Sequence, residues 1–347
     1  MTSLSSGRLA DPGIQFEALS YTWGDPFDKT PIYIVGNRAV AFLMVPRNCF
    51  DALKALRLRD GTRILWIDAI CINQNDLAER SSQVRMMARI FASASSTLIY
   101  VGKHTPSSLI VFRELSEAAS GCIERCSYCN RFEPVRGRPS NEVIQGLEEL
   151  IHRPWFRRVW VLQESFVSRE RRILCGEDVV SWDMLNALFF GYQHSRMTPS
   201  PLPFAWEPRN ALFKAEGSVW SNLWLCLHAV RGSLASDSRD KVFSLKALLG
   251  KEQDRLDQLI DYTKTAEEIF AALARIFLKA VGLKLLARIR HAHDLRMPSW
   301  VPDWSQCSPL PSPHVTFERF TKDQFDEVGV KRACCDFVAG DVDKSLN

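Results

Sequence analysis

The sequence predicts an α/β protein, with a parallel sheet flanked by helices and a mainly helical C-terminal region after it. Two observations carry this. Through the first hundred residues, short apolar runs alternate with segments whose apolar positions recur at helical spacing, and such alternation favours a parallel sheet. Farther on, strand signals give way to helix caps.

The elements follow in order. "FEALSY" (Phe16 to Tyr21) reads as a strand closed by the turn-rich "TWGDP". "IYIV" and "RAVAF" flank Gly36-Asn37, a two-residue hairpin signal. After Pro46, Cys49, Leu53 and Leu56 recur at helical spacing. "RILWIDAI" (Arg63 to Ile70) is nearly all apolar, as expected of a central strand covered on both faces. Asp76, with Glu79 three residues on, opens a helix whose Val84, Met87 and Phe91 share one face. "TLIYVG" is the next strand. Residues from about 103 to 140 read as an insertion or loop, although "SSLIVFRELSEAASG" within them has helical character. A helix near Val143 to Ile151, a hairpin "RILCGEDVVSW" and a helix from Trp182 complete the first domain. We place it at residues 14–190, with a Pro- and Ser-rich linker at 191–208. The helical region spans 209–305, where Thr265 and Glu268 form a capping box and Gly282 a stop. An irregular tail covers 306–347.

A chain of 347 residues can bury a substantial core. Its 44 basic and 40 acidic residues leave +4, too mild to argue for a nucleic-acid partner. No apolar stretch approaches the roughly 20 residues of a bilayer span, and the N-terminus lacks the apolar core of a secretory signal. A cytoplasmic protein with mostly reduced thiols is expected from its ten scattered cysteines.

Three places could carry chemistry. Asp68 interrupts an apolar strand near its carboxyl end, where open α/β sheets place ligand crevices. In "SYTWGDP", Gly24 permits a tight backbone, Asp25-Pro26 favours a turn, and Tyr21 and Trp23 offer flat faces for stacking. In "RPWFRRVWVLQES", Glu164 follows Trp160 by four positions; aromatic surroundings would raise its pKa and Arg157 or Arg158 would lower it. A structural, arginine-paired role is the competing reading for both carboxylates. Cys122, Cys126 and Cys129 form C-x3-C-x2-C, a spacing similar to that of radical S-adenosylmethionine enzymes. The helical segment before it and the lack of a following βα repeat argue against a cluster. A zinc site completed by His104 or His152 is a second option, and ordinary reduced cysteines are the expectation. No metal and no resident cofactor are expected.

"EALSYTWGDP", "LWIDAICINQNDLAERSSQVRMMARIFASASSTLIYVG" and "RPWFRRVWVLQE" resemble the three signature blocks of the HET (heterokaryon incompatibility) domain of filamentous fungi, in order and spacing across about residues 16 to 185. The resemblance implies non-self recognition and programmed cell death after fusion of incompatible cells, through protein partners or self-association of the domain. It also implies a distant kinship to TIR domains, with a flavodoxin-like sheet. Some TIR domains cleave the nicotinamide–ribose bond of NAD with a Glu in a W-x-x-x-E pattern, which Trp160 to Glu164 is similar to. On that reading Glu164 would stabilise an oxocarbenium-like state, and NAD would be substrate. Trp23 or Tyr21 would stack a ring, and Arg153 or Arg157 would pair with phosphates. Asp68 belongs to the second block without an implied role.

Overall fold

A computed structural model describes residues 14–35, 40–120, 139–195, 230–282 and 297–305, together with Trp220, Leu223, Trp224, Cys226 and Leu227. Strands β1 (Glu17–Tyr21), β4 (Leu65–Trp66), β5 (Thr97–Tyr100), β6 (Arg171–Cys175) and β7 (Asp178–Ser181) form one sheet in the order β4-β1-β5-β6-β7. The first four pair in parallel, and β7 returns antiparallel to β6 across the turn at Gly176. Counting only these strands, the order is second-first-third-fourth-fifth, the flavodoxin-like doubly wound arrangement with an antiparallel last strand.

Successive residues alternate between the two faces, as the two-residue pleat requires. Ala18, Ile99, Val101, Ile173 and Cys175 join a large core with helices α3 (Leu77–Ser93), α4 (Pro106–Ser120), α5 (Asn141–Ile151), α6 (Pro154–Arg157), α7 (Val161–Val167) and α8 (Trp182–Ser195). Leu19, Tyr21, Leu98, Tyr100 and Leu174 face the other way. There they meet Cys49 and Ala52 of α1 (Arg47–Leu56), and Ile32 and Val45 of a separate antiparallel ribbon, β2 (Lys29–Val35) and β3 (Val40–Pro46). The turn of that ribbon, Gly36-Asn37, lies outside the described residues.

The "RILWIDAI" run departs from expectation. Only Leu65 and Trp66 pair, β4 is an edge of the sheet rather than its centre, and Asp68–Cys71 winds into a short helix, α2. The run is apolar because the α1 side covers Ile67 while Trp66 packs edge-on against Phe91 of α3. Cover on both faces does not require a strand on both edges.

Residues 106–120, expected inside an irregular insertion, form α4. Its Val111, Phe112 and Leu115 are core residues, and Gly146 of α5 comes so close that a Cβ there would sit 2.6 Å from the Ser107 carbonyl oxygen. Asp76 caps α3 through the Ala78 and Glu79 amides, while the Glu79 carboxylate accepts from Asn73 instead.

Beyond residue 195 the described chain is helical or turn-like. It includes α9 (Asp240–Phe243), α10 (Gln253–Asp257) and α11 (Ala266–Val281), the last opened by the Thr265/Glu268 capping box. Trp224, Phe270, Phe277 and Trp304 meet edge-to-face, and they continue the core of the first half. Among the described residues no helix is long and apolar enough to cross a membrane.

Candidate functional site

The segment "RPWFRRVWVLQES" resolves into two short helices and a break. Arg153 stands at the N-cap of α6 with Pro154 at its first position, where a missing N–H costs nothing. The helix stops at Arg157, and Arg158 turns extended (φ −73°, ψ 138°). That break seats Val159 beside the C-terminal region, its N–H donating to the Leu234 carbonyl at 2.9 Å. It also aims the Arg158 guanidinium at the carboxyl end of β1, where it donates to the Tyr21 carbonyl oxygen.

Glu164 lies in the first turn of α7 and is only 3% exposed. Its carboxylate accepts a hydrogen bond from the Ser20 hydroxyl on β1. The Trp155 indole N–H donates to the same Ser20 oxygen at 2.8 Å. Arg158 stands 3.8 Å away on the other side. Burial holds the Glu164 carboxyl above its ordinary range and Asp68 adds to this, while Arg158 and Ser20 oppose it.

Asp68 opens α2 just past β4. Its carboxylate accepts from the Trp23 indole at 2.8 Å and from the Ala69 amide at 2.7 Å. Burial raises its pKa, and Arg158 and Trp23 draw it back. Among the described residues Arg158 is therefore the one cation acting on both carboxylates, and two acids share less than their full compensation. The Tyr21 hydroxyl, buried beside Asp68 and the Cys49 thiol, is pushed far above its usual range, and burial lifts Cys49 to about 12.

The loop after β1 is pinned from below. Asn48 donates from Nδ2 to the Thr22 carbonyl at 3.0 Å, and Gly24 (φ +80°) passes so close that a Cβ would meet Asn48 Nδ2 at 2.8 Å. Asp25 accepts from the Phe27 amide at 2.9 Å and so shapes its own turn. Trp23 is left partly exposed over Asp68.

The structure thus brings Tyr21, Trp23, Asp68 and Glu164 together at the carboxyl end of the sheet, where the strand order reverses between β1 and β5. Arg153 sits one strand over: its Nη1 donates to the Val101 and Lys103 carbonyls at 3.2 and 3.0 Å, tying down the loop after β5. Arg157 is exposed. The Trp160 backbone carbonyl accepts from the Glu164 amide at 3.1 Å, but its indole pairs with Asp240 in the C-terminal region. Trp160 and Glu164 are therefore one helical turn apart with different partners.

Three participants were not singled out from the sequence as site residues: Ser20, Trp155 and Asp240. The sequence marks Arg158 only as an influence on the Glu164 pKa, beside Arg157. What distinguishes the two arginines is where α6 ends, and Pro154 at its start was the available hint. Asp240 is buried with its carboxyl raised to about 6 by burial; Tyr262 donates to it, and Arg80 stands 3.9 Å away.

Cys122, Cys126 and Cys129 lie outside the described residues. Of the two histidines considered beside them, His104 stands 3.1 Å from Asp178, and His152 contacts the Glu148 carbonyl at 2.6 Å. Among the described residues no group of three or more His, Cys, Asp or Glu side chains is placed to hold a metal ion.

Comparison with known proteins bears on this arrangement. The family model described as "Heterokaryon incompatibility protein (HET)" matches residues 16–164. "Heterokaryon incompatibility protein 6, OR allele" of Neurospora crassa is 26% identical over 366 residues, covering 85% of this chain and 54% of that protein. The chain therefore spans about half the length of this curated relative. No solved structure matches.

Proposed function

We propose that the chain, whose residues 16–164 match the HET family model, acts in fungal heterokaryon incompatibility, as a cytoplasmic effector that links non-self recognition to regulated cell death. The observation that carries this reading is the convergence of the matched segments on one place. Ser20 from the first, Asp68 from the second, and Arg158 with Glu164 from the third form a single hydrogen-bonded and charge-coupled cluster. The named relative supports the biological role. The test is inducible expression in a filamentous fungus, alone and after fusion with incompatible strains, with viability counted. The reading expects death from the wild-type chain and survival with Arg158→Met at equal protein level. Full viability with the wild-type chain in every pairing would contradict it.

A second reading has one observation in its favour. Two carboxylates, Glu164 and Asp68, flank a single arginine at the carboxyl end of the sheet, beside the partly exposed Trp23. Glycosyl-bond cleavage commonly uses a pair of carboxyl groups, and burial raises both of these, so a TIR-like hydrolysis of NAD fits this chemistry. In it, Asp68 would face the ligand, with Trp23 stacking a ring. Glu164, 3% exposed, would reach substrate only after the Ser20 contact opens. Incubating concentrated protein with NAD and measuring free nicotinamide decides: release abolished by Glu164→Gln supports hydrolysis, and intact NAD removes it.

A further inference from the structure

The β2–β3 ribbon buries one face and leaves the other bare. Ile32 and Val45 are buried against α1 and the sheet. On the opposite face the register places Tyr33 across from Phe42 and Pro31 across from Met44. Tyr33 is 66% exposed, Phe42 67% and Met44 46%; Phe27, in the turn leading into β2, is 93% exposed. A sheet face of this composition is normally covered, and single exposed apolar residues would need no comment where a contiguous cross-strand set does.

We propose that this face is an interface between two copies of the chain, packed ribbon on ribbon about a two-fold axis. Three features select a second copy as occupant. First, the Tyr33/Phe42 and Pro31/Met44 pairs carry no charge, so a self-complementary contact lays aromatic on aromatic without opposing like charges. Second, the foot of the ribbon carries both signs: Lys29 stands on the bare face two residues before Pro31, and Arg47 and Asp28 form an exposed pair at 3.3 Å, so each copy offers the other an acid and a base. A membrane partner would instead call for a cluster of about four or more basic residues. Third, at about 150–250 Å² per whole aromatic side chain, the exposed parts of Tyr33, Phe42, Phe27 and Met44 come to roughly 500–600 Å² per copy. Doubled, that reaches about 1,000–1,200 Å², the lower end of specific interfaces. A reversible dimer is the expected result.

The surface deepens the incompatibility reading by naming a partner for the domain, and the two fail separately. A monomer in solution removes the dimer and leaves the viability assay of Arg158→Met untouched. The test is sedimentation equilibrium of the full chain over a wide concentration range. Wild type is expected to shift from monomer to dimer with rising concentration. Tyr33→Glu and Phe42→Lys should each stay monomeric with unchanged circular dichroism, and their equimolar mixture should recover the dimer through the new opposite charges. Three outcomes would overturn the proposal: a wild-type monomer at every concentration; dimerisation undisturbed by either variant; or a monomer that sediments with phosphatidylserine vesicles through Tyr33 and Phe42. The last would assign the face to a membrane surface.

Discussion

Glu164 and Arg158 face each other inside the protein, and the consequence of removing either one is unequal. Glu164→Ala would strand a largely buried guanidinium and leave Ser20 without its acceptor. Breaking such a pair costs about 3 kcal/mol, to be read from urea denaturation midpoints. Glu164→Gln keeps an oxygen for Ser20 and should cost clearly less. Asp240 gives a pH signature. Its folded pKa of about 6 lies above the ordinary 3.8, so the folded state holds that proton more tightly than the unfolded state. Its contribution is full at low pH and is lost as pH rises through about 6. Asp240→Asn cannot lose the proton, so its stability relative to wild type should rise between about pH 4 and pH 7. A constant gap across that window would refute the assignment.

Helix α3 joins the two halves of the chain. Arg85 donates to the Asp257 and Ile260 carbonyls at 3.2 and 2.5 Å, Ser81 accepts from the Tyr262 amide at 3.0 Å, and Arg80 lies over the Tyr262 ring at 3.7 Å while reaching Asp237. Arg80→Ala should therefore lower stability by about 1–2 kcal/mol, from a cation–π contact together with a partly buried ion pair; an effect below about 0.3 kcal/mol would show that α3 is not held this way. None of these contacts was readable in the sequence, because each joins residues more than 150 positions apart. Signals complete within four residues were readable: Asp76 and Thr265 as caps, Gly282 as a stop, the β2–β3 and β6–β7 hairpins. The place of β4 was not, because an apolar run reports burial of its faces and says nothing of its edges. The direction of Trp160 was equally hidden, since its partner Asp240 lies 80 residues away.

One continuous core unites the sheet, its helices and the C-terminal aromatic group around Trp304. Heat should therefore unfold the described halves in one transition, with calorimetric and van't Hoff enthalpies in agreement; two resolved peaks would contradict the shared core. The sheet order puts the cluster of Ser20, Asp68, Arg158 and Glu164 at the reversal point of the strands, and from this follows the claim on which both functional readings rest. Segments near residues 20, 68 and 158–164 act as one coupled unit. A double-mutant cycle tests it most directly, with urea unfolding of wild type, Arg158→Met, Glu164→Gln and the double variant. Coupling predicts that the double variant is less destabilised than the two single changes combined, by about 1 kcal/mol or more, whereas additivity within about 0.5 kcal/mol would show that the two groups do not sense each other.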